Sequence, residues 1–293
     1  MAIKHWITGA RVRTLPLGFA PIVLGSATAD LIDRFNPVLA SLALMVALFL
    51  QIAVNYANDY SDGIRGTDKD RVGPLRLTAS GLVRPQAVKR AAFISFGLAA
   101  LSGLGILLLT SAWWLVLVGL ISMLAAWYYT GGKRPYGYAG LGEIAVFVFF
   151  GLVATTITNY IQTMQFDALA FWLGANFGLY AAAVLLINNI RDIATDSVSG
   201  KRTIAVKLGA KRAKLLFTAM LLLPVITNLM LILLYPATIL GLINLLVLVP
   251  AYLSGVKGKT PKEQITSLKL TSLAGLGYGL LVGLGLFLVS FGI

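Results

Sequence analysis

The sequence predicts an all-α integral membrane protein, a bundle of nine transmembrane helices with its amino terminus in the cytoplasm. Two observations carry this prediction: the hydrophobicity of the chain and the distribution of its basic residues. Of the 293 residues, 58% are hydrophobic and 12% are charged, against about 25% charged residues in a typical soluble domain. The mean hydropathy is +0.85. A soluble core cannot absorb this much apolar surface, so lipid must solvate a large part of it.

Nine apolar runs are candidate spans, since crossing about 30 Å of hydrocarbon takes about 20 residues. They cover approximately residues 15–31, 37–57, 88–109, 112–130, 141–160, 168–190, 214–234, 237–253 and 270–292. The breaks at residues 110–111 and 235–236 are typical of tight hairpins between antiparallel helices. No separable soluble segment interrupts the runs, so we expect a single transmembrane domain over residues 1–293.

The basic residues predict the orientation of the bundle. The chain has 24 Lys and Arg residues against 11 Asp and Glu residues, a formal net charge of +13. With the amino terminus inside, every Lys and Arg except Arg34 falls on the cytoplasmic side, as the positive-inside rule requires. In a soluble protein this excess would indicate nucleic acid, but here topology explains it and no nucleic-acid partner is expected.

Composition also excludes several kinds of site. The chain has no cysteine, which excludes disulfides and thiolate metal sites. Its single histidine, His5, lies in the amino-terminal tail. A histidine metal site and a Ser-His-Asp triad are therefore not expected.

Two clusters of Asn and Asp lie at the predicted cytoplasmic ends of the second and sixth spans. In each cluster an Asn is followed by an Asp four residues later: Asn58 by Asp62, and Asn188 by Asp192. On a helix this spacing puts the pair on one face, one turn apart, and Asp196 extends the second face by another turn. Since both clusters lie at cytoplasmic helix ends, we expect them to line the same opening on the cytoplasmic side of the bundle.

These side chains are typical ligands of a hard cation, because oxygen donors without His or Cys suit Mg²⁺. Magnesium usually takes one or two carboxylates and completes its shell with waters and phosphates. The clusters therefore predict a clamp for a magnesium-bound diphosphate. The alternative is solvated loop charges and helix caps, but acids at membrane depth are costly and usually functional. The candidate metal ligands are Asn58, Asp59, Asp62, Asp68, Asn188, Asp192 and Asp196.

Basic residues near the clusters are candidates for binding the diphosphate, since they can neutralise phosphate oxygens directly. They are Arg65, Lys69, Lys133, Arg134, Arg191, Lys201 and Arg202.

The end of the fourth span is rich in aromatic residues. Tyr128 and Tyr129 can stabilise a developing carbocation with their ring faces, or they can belong to an ordinary interfacial belt. The belt is the favoured interpretation for Tyr138. Glu143 is the only glutamate inside a predicted span. It is a candidate base or orienting partner, or a member of a structural ion pair with a basic residue of the preceding loop.

Four stretches of the sequence resemble the UbiA superfamily of intramembrane prenyltransferases: residues 11–16, 58–82, 129–143 and 188–203. The paired Asp motifs are a strong indicator of the superfamily. The pattern Tyr129-Thr-Gly-Gly, continued by Gly140-Leu-Gly-Glu143, is similar to the branch that prenylates 1,4-dihydroxy-2-naphthoate in menaquinone biosynthesis. One departure is visible, because many relatives have a third Asp where this chain has Gly66, and the next acid here is Asp68.

The resemblance implies a UbiA-type bundle in the plasma membrane, with its active site facing the cytoplasm. It also implies Mg²⁺-dependent transfer of a polyprenyl group from polyprenyl diphosphate to 1,4-dihydroxy-2-naphthoate, with loss of CO₂, to give demethylmenaquinol. The residues expected to act in catalysis are Asp62, Asp192, Tyr128, Tyr129 and Glu143. The residues expected to hold the acceptor carboxylate are Arg11, Arg13 and Arg76.

Two alternatives remain from the sequence. One is a UbiA-type enzyme with another acceptor, such as 4-hydroxybenzoate or a phosphosugar. The other is a secondary transporter, which would place its ionisable groups near the bilayer midplane, whereas these acids lie at the predicted cytoplasmic ends of helices.

Overall fold

The computed structural model of the chain describes residues 3–67, 75–258 and 260–292, apart from the side chain of Arg13. These residues form helices joined by short turns, with no β-strand among them, so the predicted all-α class is confirmed for this part of the chain. The helices are α1 (Ile3–Ala10), α2 (Pro16–Asp30), α3 (Pro37–Arg65), α4 (Pro85–Thr110), α5 (Leu115–Tyr128), α6 (Gly142–Val146), α7 (Ala154–Thr163), α8 (Ala168–Arg191), α9 (Ile193–Val198), α10 (Ile204–Leu234), α11 (Leu245–Val256) and α12 (Pro261–Ser290). A π-helical segment, Phe147–Val153, joins α6 to α7, and 3₁₀ helices lie at Val12–Thr14, Tyr136–Ala139 and Pro236–Asn244.

Several helices begin at signals that the sequence carries. Helices α2, α3, α4 and α12 have proline in their first turn, where its missing N–H costs no hydrogen bond. Asn36 caps α3 by accepting hydrogen bonds from the N–H groups of Val38 and Leu39. Thr260 and Glu263 form a reciprocal capping box at the start of α12. Such caps satisfy N–H groups that the helix itself leaves without partners.

Seven helical stretches are long and apolar enough to cross a membrane. They are Pro37–Arg65, Pro85–Thr110, Gly142–Thr163, Ala168–Arg191, Ile204–Leu234, Pro236–Val256 and Pro261–Ser290. The other two predicted spans correspond to shorter helices, α2 with 15 residues and α5 with 14. At about 1.5 Å per residue these measure about 21–23 Å. The described residues thus contain seven candidate spans, fewer than the predicted nine.

Helix α8 lies at the centre of the bundle and is the most buried of the seven. It packs against α10, α12 and the π segment. A Cβ atom on Gly151 would lie 2.5 Å from the carbonyl oxygen of Gly174 and from the Cα of Gly178. The π segment and α8 therefore cross with their backbones in contact, the kind of approach that small residues allow between membrane helices.

Candidate active site

A cavity of about 630 Å³ lies between α2, α3, α4, α5, the π segment and α8. Its lining on α3 runs from Ala43 to Asp62, which corresponds to about 28 Å along the helix axis. The end near Asp62 is polar. The far end is apolar and is bounded by Ile22, Leu115 and Ile161. The cavity thus offers a charged site continuous with a long hydrophobic channel.

The first Asn/Asp cluster lies at the carboxyl-terminal end of α3 and lines the polar end of the cavity. Asn58 accepts a hydrogen bond from the Thr130 hydroxyl at 2.8 Å. Asp62 is 3% exposed and accepts a hydrogen bond from the Tyr138 hydroxyl at 2.6 Å. The other carboxylate oxygen of Asp62 lies 3.8 Å from Nη2 of Arg76. These partners hold a nearly buried carboxylate in a fixed orientation.

The second cluster lies where α8 ends, and it lines the same cavity through Asn188, Asp192 and Asp196. Arg191 donates to both carboxylate oxygens of Asp192 at 2.6 Å and to Oδ1 of Asn188 at 2.9 Å. Asp192 occupies the capping position between α8 and α9, and Asp196 lies in the first turn of α9. The short break between the helices keeps all three side chains on the cavity.

The donor set fits magnesium with a diphosphate. Five Asn and Asp side chains of the two clusters supply hard oxygen donors to one cavity, with no three acidic or histidine side chains grouped as a metal site among the described residues. Magnesium matches this arrangement because it is usually held by one or two carboxylates and takes its other ligands from waters and substrate phosphates.

Tyr138 connects the first cluster to the segment that follows the second cluster, although the sequence interpretation placed it in an interfacial belt. Its hydroxyl donates to Asp62, its carbonyl oxygen accepts from the N–H of Arg202 at 2.8 Å, and its ring lies 4.6 Å from Nζ of Lys201. Burial raises the pKa of Tyr138, and the negative charge of Asp62 raises it further. The phenol therefore stays protonated and keeps donating to Asp62.

Some of the predicted diphosphate-binding residues line the cavity in the structure, and others do not. Lys201 lines the cavity, whereas Arg191 does not, although it pairs with Asp192, which does. Arg65 instead donates to the carbonyl oxygens of Thr130 and Gly132, so it fixes the turn after α5. The side chains of Lys133, Arg134 and Arg202 are exposed and do not line the cavity. Lys69 lies outside the described residues.

The predicted aromatic and acidic residues next to α5 and α6 also take different positions. Tyr129 lines the cavity, whereas Tyr128 is 50% exposed and lies off it. Glu143 is 2% exposed and does not line the cavity. Its Oε1 accepts a hydrogen bond at 2.9 Å from Asn189, which does line it. Glu143 therefore reaches the site through Asn189, a residue that the sequence analysis did not single out.

Two of the predicted acceptor-binding residues, Arg11 and Arg76, line the polar end of the cavity. The segment that carries Arg11 is fastened to α3, because Asn55 donates to the carbonyl oxygen of Ala10 at 2.9 Å and to the Thr14 hydroxyl at 3.1 Å. Two further candidates lie outside the described part of the chain. They are the side chain of Arg13, predicted to bind the acceptor, and Asp68, predicted to bind the metal.

Asp59, a predicted metal ligand, does not line the cavity. Its carboxylate accepts hydrogen bonds from two backbone N–H groups, those of Leu77 and Thr78. The structure therefore separates Asp59 from Asn58 and Asp62, its neighbours in the same sequence motif.

Comparison with known proteins identifies the class. Residues 19–273 match the UbiA prenyltransferase family, and the chain belongs to that family. The chain is 46% identical over 281 residues to a protein named 1,4-dihydroxy-2-naphthoate octaprenyltransferase from Mycobacterium tuberculosis, with 96% of each chain covered.

Solved structures share the fold. A UbiA homologue from Aeropyrum pernix superimposes with a TM-score of 0.68 at 18% identity, covering 99% of both chains. A UbiA homologue from Archaeoglobus fulgidus bound to GPP and Mg²⁺ superimposes with a TM-score of 0.63 at 15% identity, covering 94% of this chain and 98% of the other. The likeness establishes the UbiA-type architecture of this chain.

We expect Tyr138→Phe to lower the rate of prenyl transfer about tenfold, since a hydrogen bond to a charged group contributes about 1.5–3 kcal/mol. Because the raised pKa keeps the hydroxyl protonated, the ratio of wild-type to variant rates should be the same at about pH 7 and about pH 9.5. A ratio that falls towards one as the pH approaches about 10 would contradict this. Tyr252→Phe, on α11 and away from the cavity, is the matched control.

Proposed function

We propose that this enzyme transfers a polyprenyl group from polyprenyl diphosphate to 1,4-dihydroxy-2-naphthoate, with loss of CO₂, giving demethylmenaquinol. The observation that carries the proposal is the meeting of both Asn/Asp clusters at the polar end of one long apolar cavity. The named relative at 46% identity supports the choice of acceptor.

The polar end suits the diphosphate. Asn58, Asp62, Asn188, Asp192 and Asp196 would hold Mg²⁺ there, and the bound metal would act as a Lewis acid that neutralises the departing diphosphate. Lys201 lines the same end and can neutralise phosphate oxygens directly. Arg191 fixes the orientation of Asp192 and adds positive charge beside it.

The apolar part of the cavity suits the isoprenoid chain and the reactive carbon. Breaking the bond between the prenyl carbon and the diphosphate oxygen leaves an allylic cation, which water would quench. The apolar residues that line the end of the cavity near Ala43 exclude water from that region. Tyr129 lines the cavity and can offer its electron-rich ring face to the cation.

The acceptor carboxylate would be held by Arg11 and Arg76, which line the polar end. A planar guanidinium matches a carboxylate better than an ammonium group does. Because this carboxylate leaves as CO₂, tight binding in the transition state would slow the reaction. These arginines therefore serve acceptor binding more than the chemical step.

The chain crosses the plasma membrane nine times in this proposal, with the amino terminus and both acidic clusters on the cytoplasmic side. The distribution of Lys and Arg supports it, since Arg34 alone would lie outside. The two further crossings would be the shorter helices α2 and α5.

A cysteine at the exposed position Ser199 tests this topology, because the chain has no other thiol. We expect it to react with a membrane-impermeant thiol reagent in inverted vesicles and not in intact cells. Labelling of intact cells would contradict the orientation.

The acceptor is tested by incubating the purified protein with polyprenyl diphosphate and Mg²⁺, together with 1,4-dihydroxy-2-naphthoate, 4-hydroxybenzoate or a phosphosugar, and identifying the product by mass spectrometry. We expect the naphthoate to be prenylated fastest. Arg76→Ala should raise the KM for the naphthoate more than it lowers kcat, and it should change the KM for the diphosphate little. The exposed Arg212→Ala is its control. Faster prenylation of 4-hydroxybenzoate would contradict the acceptor, and uptake into proteoliposomes without turnover would favour a transporter.

Asp62→Ala and Asp192→Ala should each lower kcat by about 10²–10³, because removing one group that stabilises developing charge typically costs that much. Asp33 is an exposed acid in the turn after α2, and it does not line the cavity. Asp33→Asn should therefore leave the rate unchanged. Melting temperatures in detergent confirm that each variant folds. Rates near wild type for either alanine variant, or full activity in EDTA, would disprove the clamp.

A further inference from the structure

Asp59 occupies an unusual position for an acid in a metal-binding motif. It is 1% exposed, and both of its carboxylate oxygens are in use. Oδ2 accepts a hydrogen bond from the backbone N–H of Leu77 at 2.8 Å, and Oδ1 accepts one from the N–H of Thr78 at 2.8 Å. Turning this carboxylate towards the cavity would leave two N–H groups without these partners, which is costly for buried groups.

One helical turn further along α3, Gly63 brings the same segment against the helix. A Cβ atom at Gly63 would lie 2.4–2.5 Å from the side chain of Thr78. Leu77, between the two contacts, is fully buried in a cluster with Tyr56 and Val88. Asp59 and Gly63 thus fasten the backbone at residues 77–78 to one face of α3.

The residue directly before this fastened segment is Arg76, which lines the active-site cavity. Arg76 is 8% exposed, and its guanidinium lies beside Asp62 on the cavity side of α3. The backbone anchor fixes where the Arg76 side chain begins, and the contact with Asp62 accompanies the guanidinium at its other end.

We propose that Asp59 is a positioning residue that holds Arg76 in the acceptor subsite, and that it is not a ligand of the metal. The motif then has two separate tasks. Asn58 and Asp62 face the diphosphate, whereas Asp59 acts through the backbone of the neighbouring segment on the site for the acceptor carboxylate. The assignment of that subsite rests on the proposed function.

The position of the segment can be measured without turnover, because an Arg76→Cys variant contains a single thiol. We expect this buried thiol to react slowly with a maleimide in detergent. Adding Asp59→Ala should accelerate the reaction about tenfold, since two charge-assisted hydrogen bonds are lost. Adding Asp167→Ala should not, although it removes a similar carboxylate–backbone hydrogen bond at the far end of α8. Equal rates with and without Asp59→Ala would overturn the proposal.

Gly63→Ala provides a second test that changes no charge. In the Arg76→Cys background it should also accelerate the reaction of the thiol, because the new methyl group displaces Thr78, whereas alanine suits a helix better than glycine does. This variant keeps the test decisive if Asp59→Ala fails to fold. Gly97→Ala on α4, where an added Cβ meets no atom within 4 Å, is the matched control.

Kinetics on the otherwise native enzyme separate positioning from metal binding. Asp59→Ala should raise the KM for the naphthoate about tenfold, and it should change little the KM for the diphosphate and the Mg²⁺ concentration that gives half the maximal rate. In the Arg76→Ala background, Asp59→Ala should cause no further loss, since the two residues act through one interaction.

A higher Mg²⁺ requirement in Asp59→Ala, comparable to that of Asp62→Asn, would overturn the positioning role. The thiol measurement is independent of the reaction, so it also separates the two claims. A wild-type enzyme that does not prenylate the naphthoate contradicts the proposed function, whereas an unchanged thiol reactivity contradicts the role of Asp59.

Discussion

The structure depends on keeping carboxylates almost fully buried at the end of a membrane bundle. An unpaired carboxylate there would be neutralised or would destabilise the fold. Asp62 is stabilised by Tyr138 and Arg76, and Asp192 by Arg191. Arg76 and Tyr138 come from the segments that follow α3 and α5, so holding Asp62 fixes the arrangement of these two connections. Arg191 is the last residue of α8 and orients Asp192 at the end of its own helix. The polar end of the cavity is the region that these connections enclose.

The remainder of the bundle gives this polar end a rigid base. Helix α8 is packed on nearly all sides, and its glycines let the π segment approach until the backbones touch. Helix α5, which forms another part of the cavity wall, packs less tightly against its neighbours, and many of its side chains face outward. The tightly packed helix α8 carries the second Asn/Asp cluster, and the more loosely packed α5 borders the apolar part of the cavity.

The sequence was sufficient for features that depend on local periodicity. Apolar runs located the helices, and the four-residue spacing of Asn58 and Asp62 placed both on the cavity. Prediction from the sequence failed for side chains whose positions depend on contacts between distant segments of the chain. Consecutive residues on a helix point about 100° apart, so Asp59 faces another segment although it belongs to the same motif. Tyr138 and Asn189 were missed because their roles arise from the packing of separate loops and helices. The predicted spans 15–31 and 112–130 were slightly too long, because the apolar sequence continues beyond the ends of α2 and α5, as Trp113 and Trp114 show at the start of α5.

The short helices α2 and α5 have a consequence for the surrounding lipid. In the nine-crossing topology both measure about 21–23 Å, whereas the hydrocarbon of a typical bilayer is about 30 Å thick. A bilayer accommodates such hydrophobic mismatch by thinning around the short segment. Trp113 and Trp114, both exposed at the start of α5, are suited to anchoring that helix at the interface. Since α2 and α5 both border the cavity, the membrane would in that topology be thinner beside the site, and bilayer thickness would then be a physical variable that acts on an enzyme with a lipid substrate.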